Sequence, residues 1–250
     1  MNNRHWLLRL VKTICLVMTL GVSMNADAGL FGFGGDSWKE EVLLHDGSKI
    51  IVNRAQSYGG RHEIGQPPPI KEHTISFMLP NTKETITWTS EYGEDIGRTN
   101  FDLLAVHALN GTPYIVASPN SCQSYNKWGR PNPPYVFFKY DGKAWQRIPF
   151  EAFPAELSTI NVSLTLGKRD VEEMIRLGMV PAENIKARNS RLQQPEFKTI
   201  LREAVEDVGC PIPTTMTGKL IVPEVDGKPL YYNWWPLAPE WLKNTYGKDK

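Results

Sequence analysis

Three observations predict a mainly β chain of the α+β class, built as a series of antiparallel hairpins. Turn dipeptides recur between runs rich in β-branched and aromatic residues, at Asp46-Gly47, Asn110-Gly111, Asp141-Gly142 and Asp226-Gly227. Inside those runs apolar and polar residues alternate with the period of a half-buried strand, as where Ile75, Phe77 and Leu79 interleave with Thr74, Ser76 and Met78. Helical periodicity enters only late in the chain. The expected body is a sandwich or barrel-like arrangement over about residues 38–166. An annex of two helices and an edge hairpin over about 167–250 completes a single domain.

The chain opens with a secretory pattern: Arg4, Arg9 and Lys12, then an apolar core from Ile14 to Val22, then Ala26-Asp27-Ala28 as an A-x-A cleavage site. Residues 1–28 are therefore expected to be a signal peptide, and the mature chain to be periplasmic. The apolar run falls short of the ~20 residues that span a bilayer, and no other stretch approaches that length. The whole chain of 250 residues carries a net charge of +1. Its leader contributes Arg4, Arg9 and Lys12 against Asp27, so removal leaves −1. Charges are spread singly along the mature chain, which speaks against a nucleic-acid partner, since phosphate binding needs a concentrated positive face.

Gly29 to Ser37 reads as a flexible, glycine-rich leader. A first hairpin pairs Val42-Leu43-Leu44 with Lys49 to Val52. Ser57 to Pro69 carries too many Gly and Pro residues to join a strand. Thr74 to Leu79 and Thr85 to Thr89 form a second hairpin, and Leu103 to Leu109 with Tyr114 to Ala117 a third around Asn110-Gly111. A fourth follows Tyr135, with Asp141-Gly142 favouring a type I′ turn before Trp145 to Ile148. Ile160 to Leu166 alternates as one more strand. Arg169 to Leu177 is an amphipathic helix ended by Gly178, and Pro195 to Val208 a second one ended by Gly209. Leu220 to Val222 and Leu230 to Tyr232 form a last hairpin, kept to a sheet edge by Pro223 and Pro229.

Chemistry is marked mostly by missing motifs. The sequence has no H-E-x-x-H, G-x-S-x-G, phosphate loop, C-x-x-C or acidic calcium loop, and His45, His62, His73 and His107 are not spaced as zinc ligands, so no metal or cofactor is expected. Arg61-His62-Glu63 is the one local triplet suited to acid–base work; a satisfied loop triplet is the blander reading. Cys122 and Cys210 are the only cysteines after the leader, and in an oxidising compartment they are expected to bond to each other.

The stretch Ser121 to Pro134 combines aromatics, basic residues and three prolines. Tyr125, Lys127, Trp128 and Arg130 are its candidate binding residues, because Trp, Tyr and Arg dominate interface hot spots and the prolines lower the cost of ordering. Two other readings stand beside this one. The aromatics fold inward as a plug, with Arg130 bonding loop carbonyls, or they form a sugar-stacking platform.

Ser124 to Pro149, together with Gly59-Gly-Arg-His-Glu-Ile-Gly65, resembles a group of uncharacterised exported proteobacterial proteins, over roughly Trp38 to Ala155. The resemblance implies export and brings no activity with it. Some small exported proteins of this look are immunity partners of secreted antibacterial toxins. The expected function is therefore non-catalytic binding of a protein partner, a toxin or an envelope enzyme, by a periplasmic module. The alternative is an envelope polysaccharide-binding module or hydrolase using Arg61, His62 and Glu63.

Overall fold

The computed structural model describes residues 35–79, 83–164, 167–206 and 208–210, with the backbone of two short strands beyond them. The alternating segments pair as expected into two antiparallel sheets. The first is formed by β1 (Asp36–Leu43), β2 (Lys49–Tyr58), β3 (Ile70–Met78) and β4 (Thr85–Thr89). The second uses β7 (Phe101–Leu109), β8 (Thr112–Pro119), β9 (Val136–Tyr140) and β10 (Trp145–Ile148). A small hairpin of β5 (Tyr92–Gly93) and β6 (Arg98–Thr99) lies between them in sequence. The strand β11 (Met179–Val180) adds parallel to β1, giving sheet orders β11-β1-β2-β3-β4 and β10-β9-β8-β7. The body is thus sandwich-like, and neither sheet closes into a barrel.

Alternation decides which face is buried. Ile75, Phe77 and Leu79 are in the core, while Met78 is exposed. They join Val42, Val52, Ile86 and Trp88 and meet Phe101, Leu103, Ile115 and Phe137 of the second sheet in one apolar cluster. Consecutive residues Leu104, Ala105 and Val106 are all buried, so the second sheet is covered on both faces. Phe153, Leu157, Val162 and Ile200 belong to the same cluster and come from the irregular chain after β10.

Asn110-Gly111 forms a two-residue turn, with Leu109 paired to Thr112 and φ of 51° and 76° at its centre. The two Asp-Gly turns of the main sheets differ from the type I′ expectation. Tyr140 pairs with Trp145 around four residues, and the Asp141 carboxylate accepts the N–H groups of Lys143 and Ala144 at 2.8 Å each. Asp46 likewise accepts from Ser48 N at 2.9 Å, in a loop closed by Leu43 and Lys49. In both, the aspartate side chain replaces backbone pairing and lengthens the loop.

Several expected elements need correction. The leader ends earlier than Ser37, because Asp36 and Ser37 already pair with Gln56 and Ala55. Ser121 to Lys127 is a helix, α1, where an irregular loop was expected. Its Ser124 hydroxyl donates to the Asn100 carbonyl, and Ser124 and Tyr125 are its buried residues. Residues 160–164 join no sheet. Asn161 Oδ1 accepts from Val106 N and its Nδ2 donates to Val106 O and Leu43 O, so side-chain bonds stand where strand pairing was expected.

The helix expected over Pro195 to Val208 is only a 3-10 turn at Pro195–Phe197. Ile200 N donates to Ser158 O at 2.8 Å and Leu201 N to the Tyr135 hydroxyl at 3.3 Å, and these tertiary bonds replace the helical ones. The Lys168–Leu177 helix, α2, is where the periodicity placed it, ended by Gly178 at φ 72°. A helix not anticipated, α3 (Ala182–Asn189), follows β11. Together with Trp38 and Val180, these helices form a small second core of Val171, Met174 and Ile185. A last hairpin pairs β12 (Glu224–Val225) with β13 (Lys228–Pro229). The signal segment 1–28 and the expected strands Leu220–Val222 and Leu230–Tyr232 lie outside the described residues.

Candidate functional site

The β2–β3 connection is organised by its glycines and prolines. The strands stop pairing at Tyr58 and Ile70 after an irregularity in register, and Gly59 N donates to Pro69 O at 2.9 Å to close the base. Arg61 N then donates to Gly97 O at 2.9 Å, tying the loop to the β5–β6 turn. Gln66 N returns to Glu63 O at 3.1 Å, with Gly65 at φ 88°, which turns the chain at the tip. Pro67, Pro68 and Pro69 fix φ along the returning limb. Every residue from Arg61 to Pro68 is exposed, and the Ile64 side chain is fully so, at 106 % of its reference area.

Under this loop lies a cleft of about 650 Å³ lined by Arg61, His62 and Glu63 with Tyr58, Arg98 and Asn120. The structure therefore brings the predicted triplet to one wall. Its three side chains make no bond with each other; His62 Nδ1 lies 2.9 Å from the Gly60 carbonyl, two residues earlier. Tyr58 donates to Asp36 Oδ2 at 2.7 Å, and burial followed by that carboxylate pushes its phenol well up. Asn120 donates to both oxygens of Asp102 at 2.9 Å. Asp102 in turn approaches buried His73 at 3.3 Å, near enough for charge contact but out of hydrogen-bonding alignment. Tyr58, Arg98 and Asn120 were not legible as site residues, since only the loop's Gly and Pro content marks this region in sequence.

The second expected site behaves as a plug. Tyr125, one of the candidate binding residues, is buried at 4 % exposure, as the plug reading expects. Trp128 is half-buried, with its ring 4.6 Å from Phe101, and packs against the main core. Arg130 donates to Asn126 Oδ1 at 2.6 Å and to Cys210 O at 2.7 Å, and its guanidinium lies 4.9 Å from the Tyr125 ring centroid. Lys127 pairs with Asp95 at 3.0 Å. The reason is local: once Ser121–Lys127 coils into a helix, Ser124 and Tyr125 share its buried side. The Cys122–Cys210 disulfide, with Cα atoms 5.3 Å apart, fastens this helix to the chain beyond Gly209, as the cysteine count predicted.

Among the described residues no three His, Cys, Asp or Glu side chains converge as a metal site, and no helix is long and apolar enough to cross a membrane. No family model matches the chain, and no curated protein or solved structure is significantly similar to it.

Proposed function

We propose that this chain is an exported protein-binding module that acts without catalysis, presenting the 59–69 loop to a secreted toxin or an envelope enzyme and occluding it. One observation carries the reading: Ile64 stands fully exposed at the tip of a loop whose base is pinned by two backbone hydrogen bonds. A large aliphatic side chain held in water by a stiffened backbone gains free energy when a concave partner surface covers it. Little ordering entropy then opposes binding, because three prolines and the Gly97 contact already restrict the loop. Arg61, His62 and Glu63 around the tip supply a polar rim. The disulfide accords with an oxidising compartment outside the cytoplasm. Hydrolysis by Arg61, His62 and Glu63 gains no support from three exposed side chains that do not bond to one another.

The test places a photoreactive amino acid at Gln66 in cells and compares chains bearing Ile64 with chains bearing Ile64→Asp. The expected result is one discrete protein adduct with Ile64 that disappears with Asp. Irradiation yielding no discrete adduct, or the same adduct with both chains, overturns the reading.

A further inference from the structure

The cleft under the 59–69 loop has the volume of a ligand site, about 650 Å³ against the usual ~300–1,000 Å³. Pro67, Pro68, Pro69 and Ile70 give it an apolar lining, and Arg61, Arg98 and Glu63 a charged one. Its neutral donors are already engaged. The Tyr58 hydroxyl bonds to Asp36, and the Asn120 carboxamide to Asp102. Neither guanidinium has a hydrogen-bond or ion-pair partner among the described residues.

Both arginines leave the backbone at one junction. Arg61 N donates to Gly97 O at 2.9 Å, and Arg98 is the next residue, held in β6 by its pairing with Gly93. Arg98 is half-buried, so fewer rotamers are open to its side chain than to a surface arginine's, and less entropy is lost when an anion pairs with it. Two like charges rooted so close repel one another, and Glu63 is the one carboxylate among the described lining residues. With His62 neutral, the lining carries two positive charges against one negative, whereas residues 29–250 together carry −1.

That lining discriminates among ligands. An alkylammonium ion would meet two guanidinium groups, and a neutral sugar would leave both without a counter-charge. A nucleic-acid backbone needs a longer positive track than two arginines accompanied by Glu63. A carboxylate is planar, singly charged and matched to the donor fork of an arginine. The prolines and Ile70 suit the aliphatic stem that carries it. We propose, resting on the reading of the 59–69 loop as a protein-binding element, that the cleft receives acidic side chains of a polypeptide, their carboxylates pairing with the Arg98 and Arg61 guanidinium groups.

The test follows the arginine Nε–H resonances of the purified protein by nitrogen-15 NMR, with hexaglutamate as the probe and hexaglutamine as its uncharged control. Hexaglutamate is expected to shift the Arg61 and Arg98 signals saturably, and hexaglutamine to leave them in place. Arg98→Gln is expected to weaken hexaglutamate binding about tenfold or more at an unchanged melting temperature. Arg176→Gln, which removes an exposed arginine from α2, is expected to bind like the parent chain. Glutarate and inorganic phosphate probe for a free anion instead. No saturable shift with hexaglutamate, an equal shift with hexaglutamine, an unchanged affinity in Arg98→Gln, an equal loss in Arg176→Gln, or glutarate or phosphate bound as tightly as hexaglutamate would each overturn the proposal. Hexaglutamate binding without an Ile64-dependent adduct would remove the occluding role and keep this chemistry; an Ile64-dependent adduct without hexaglutamate binding would do the reverse.

Discussion

Gly60 and Gly97 are pressed together so closely that a methyl group on Gly60 would stand 2.2 Å from the Gly97 carbonyl oxygen. The reverse substitution would put the new Cβ 2.5 Å from the Arg61 Cβ, and both glycines hold positive φ, 100° and 79°. This contact seats the loop that carries Ile64. Gly97→Ala is expected to cost about 1–3 kcal/mol and to free the Arg61 N–H from Gly97 O. Equilibrium urea unfolding measures the first effect and hydrogen exchange at the Arg61 amide the second. A variant as stable and as protected as the parent chain would mean that the loop is not fixed by this contact.

The plug predicts a different response from the helix α1 region. Tyr125→Ala should destabilise the fold by about 3 kcal/mol or more, since it empties a buried aromatic site. Trp128→Ala should cost somewhat less, about 2 kcal/mol, because part of its ring is already solvated. Thermal melts beside the parent chain read both. Melting temperatures within a degree or two of the parent would restore Tyr125 and Trp128 as surface residues.

His107 gives the fold a dependence on acid. Burial, with His45 nearby as a lesser cause, brings its pKa down to about 4 against the bond its ring makes to Thr159 O at 2.9 Å. In the unfolded chain the imidazole titrates near 6.5. Between those values the unfolded state binds the extra proton, so this contribution is complete above about pH 6.5 and is lost as the pH falls toward 4. It amounts to roughly 3 kcal/mol. His107→Gln keeps a donor for Thr159 and removes the titration. The expected outcome is a smaller loss of unfolding free energy in the variant than in the parent across that range; parallel pH profiles would contradict it.

Glu40 and Arg54 form an ion pair at 3.3 Å, exposed by 0 % and 2 %. Glu40 also accepts from Trp38 Nε1 at 2.7 Å and from Ser163 N at 3.1 Å, so its carboxylate is well provided with donors. Removing one member leaves the other charged and buried. Glu40→Leu and Arg54→Met are each expected to cost about 3–5 kcal/mol alone, and the two together less than either. Urea unfolding of the three variants forms the cycle. Additive losses would show the two residues to be uncoupled.

That pair also marks where the sequence stopped being informative. The period of two placed β3 correctly because its inward residues Ile75 and Phe77 are apolar. The same inward row continues through Glu40, Arg54, Gln56 and His73, and alternating polar residues of that kind read as an outward face. Asn110-Gly111 was legible because its turn depends on two adjacent residues alone. Residues 160–164 and 195–201 were not. Glu40 and Asn189 take up backbone bonds of residues 162–164, Tyr135 and Ser158 those of Leu201 and Ile200, and no local pattern encodes such partners. The Gly and Pro content of Ser57 to Pro69 announced a loop, yet only the contact between Arg61 and Gly97 turned it into a presented surface.

Ile64→Asp tests the central claim most directly, with the captured partner purified and its affinity for both chains measured beside their melting temperatures. A fully exposed side chain contributes little to folding, so the melting temperature should be unchanged. Loss of an apolar anchor should weaken binding by about 2 kcal/mol or more, roughly thirtyfold. Equal affinity for the two chains, or weakened binding accompanied by a fall in melting temperature, would contradict the assignment of this loop as the recognition element.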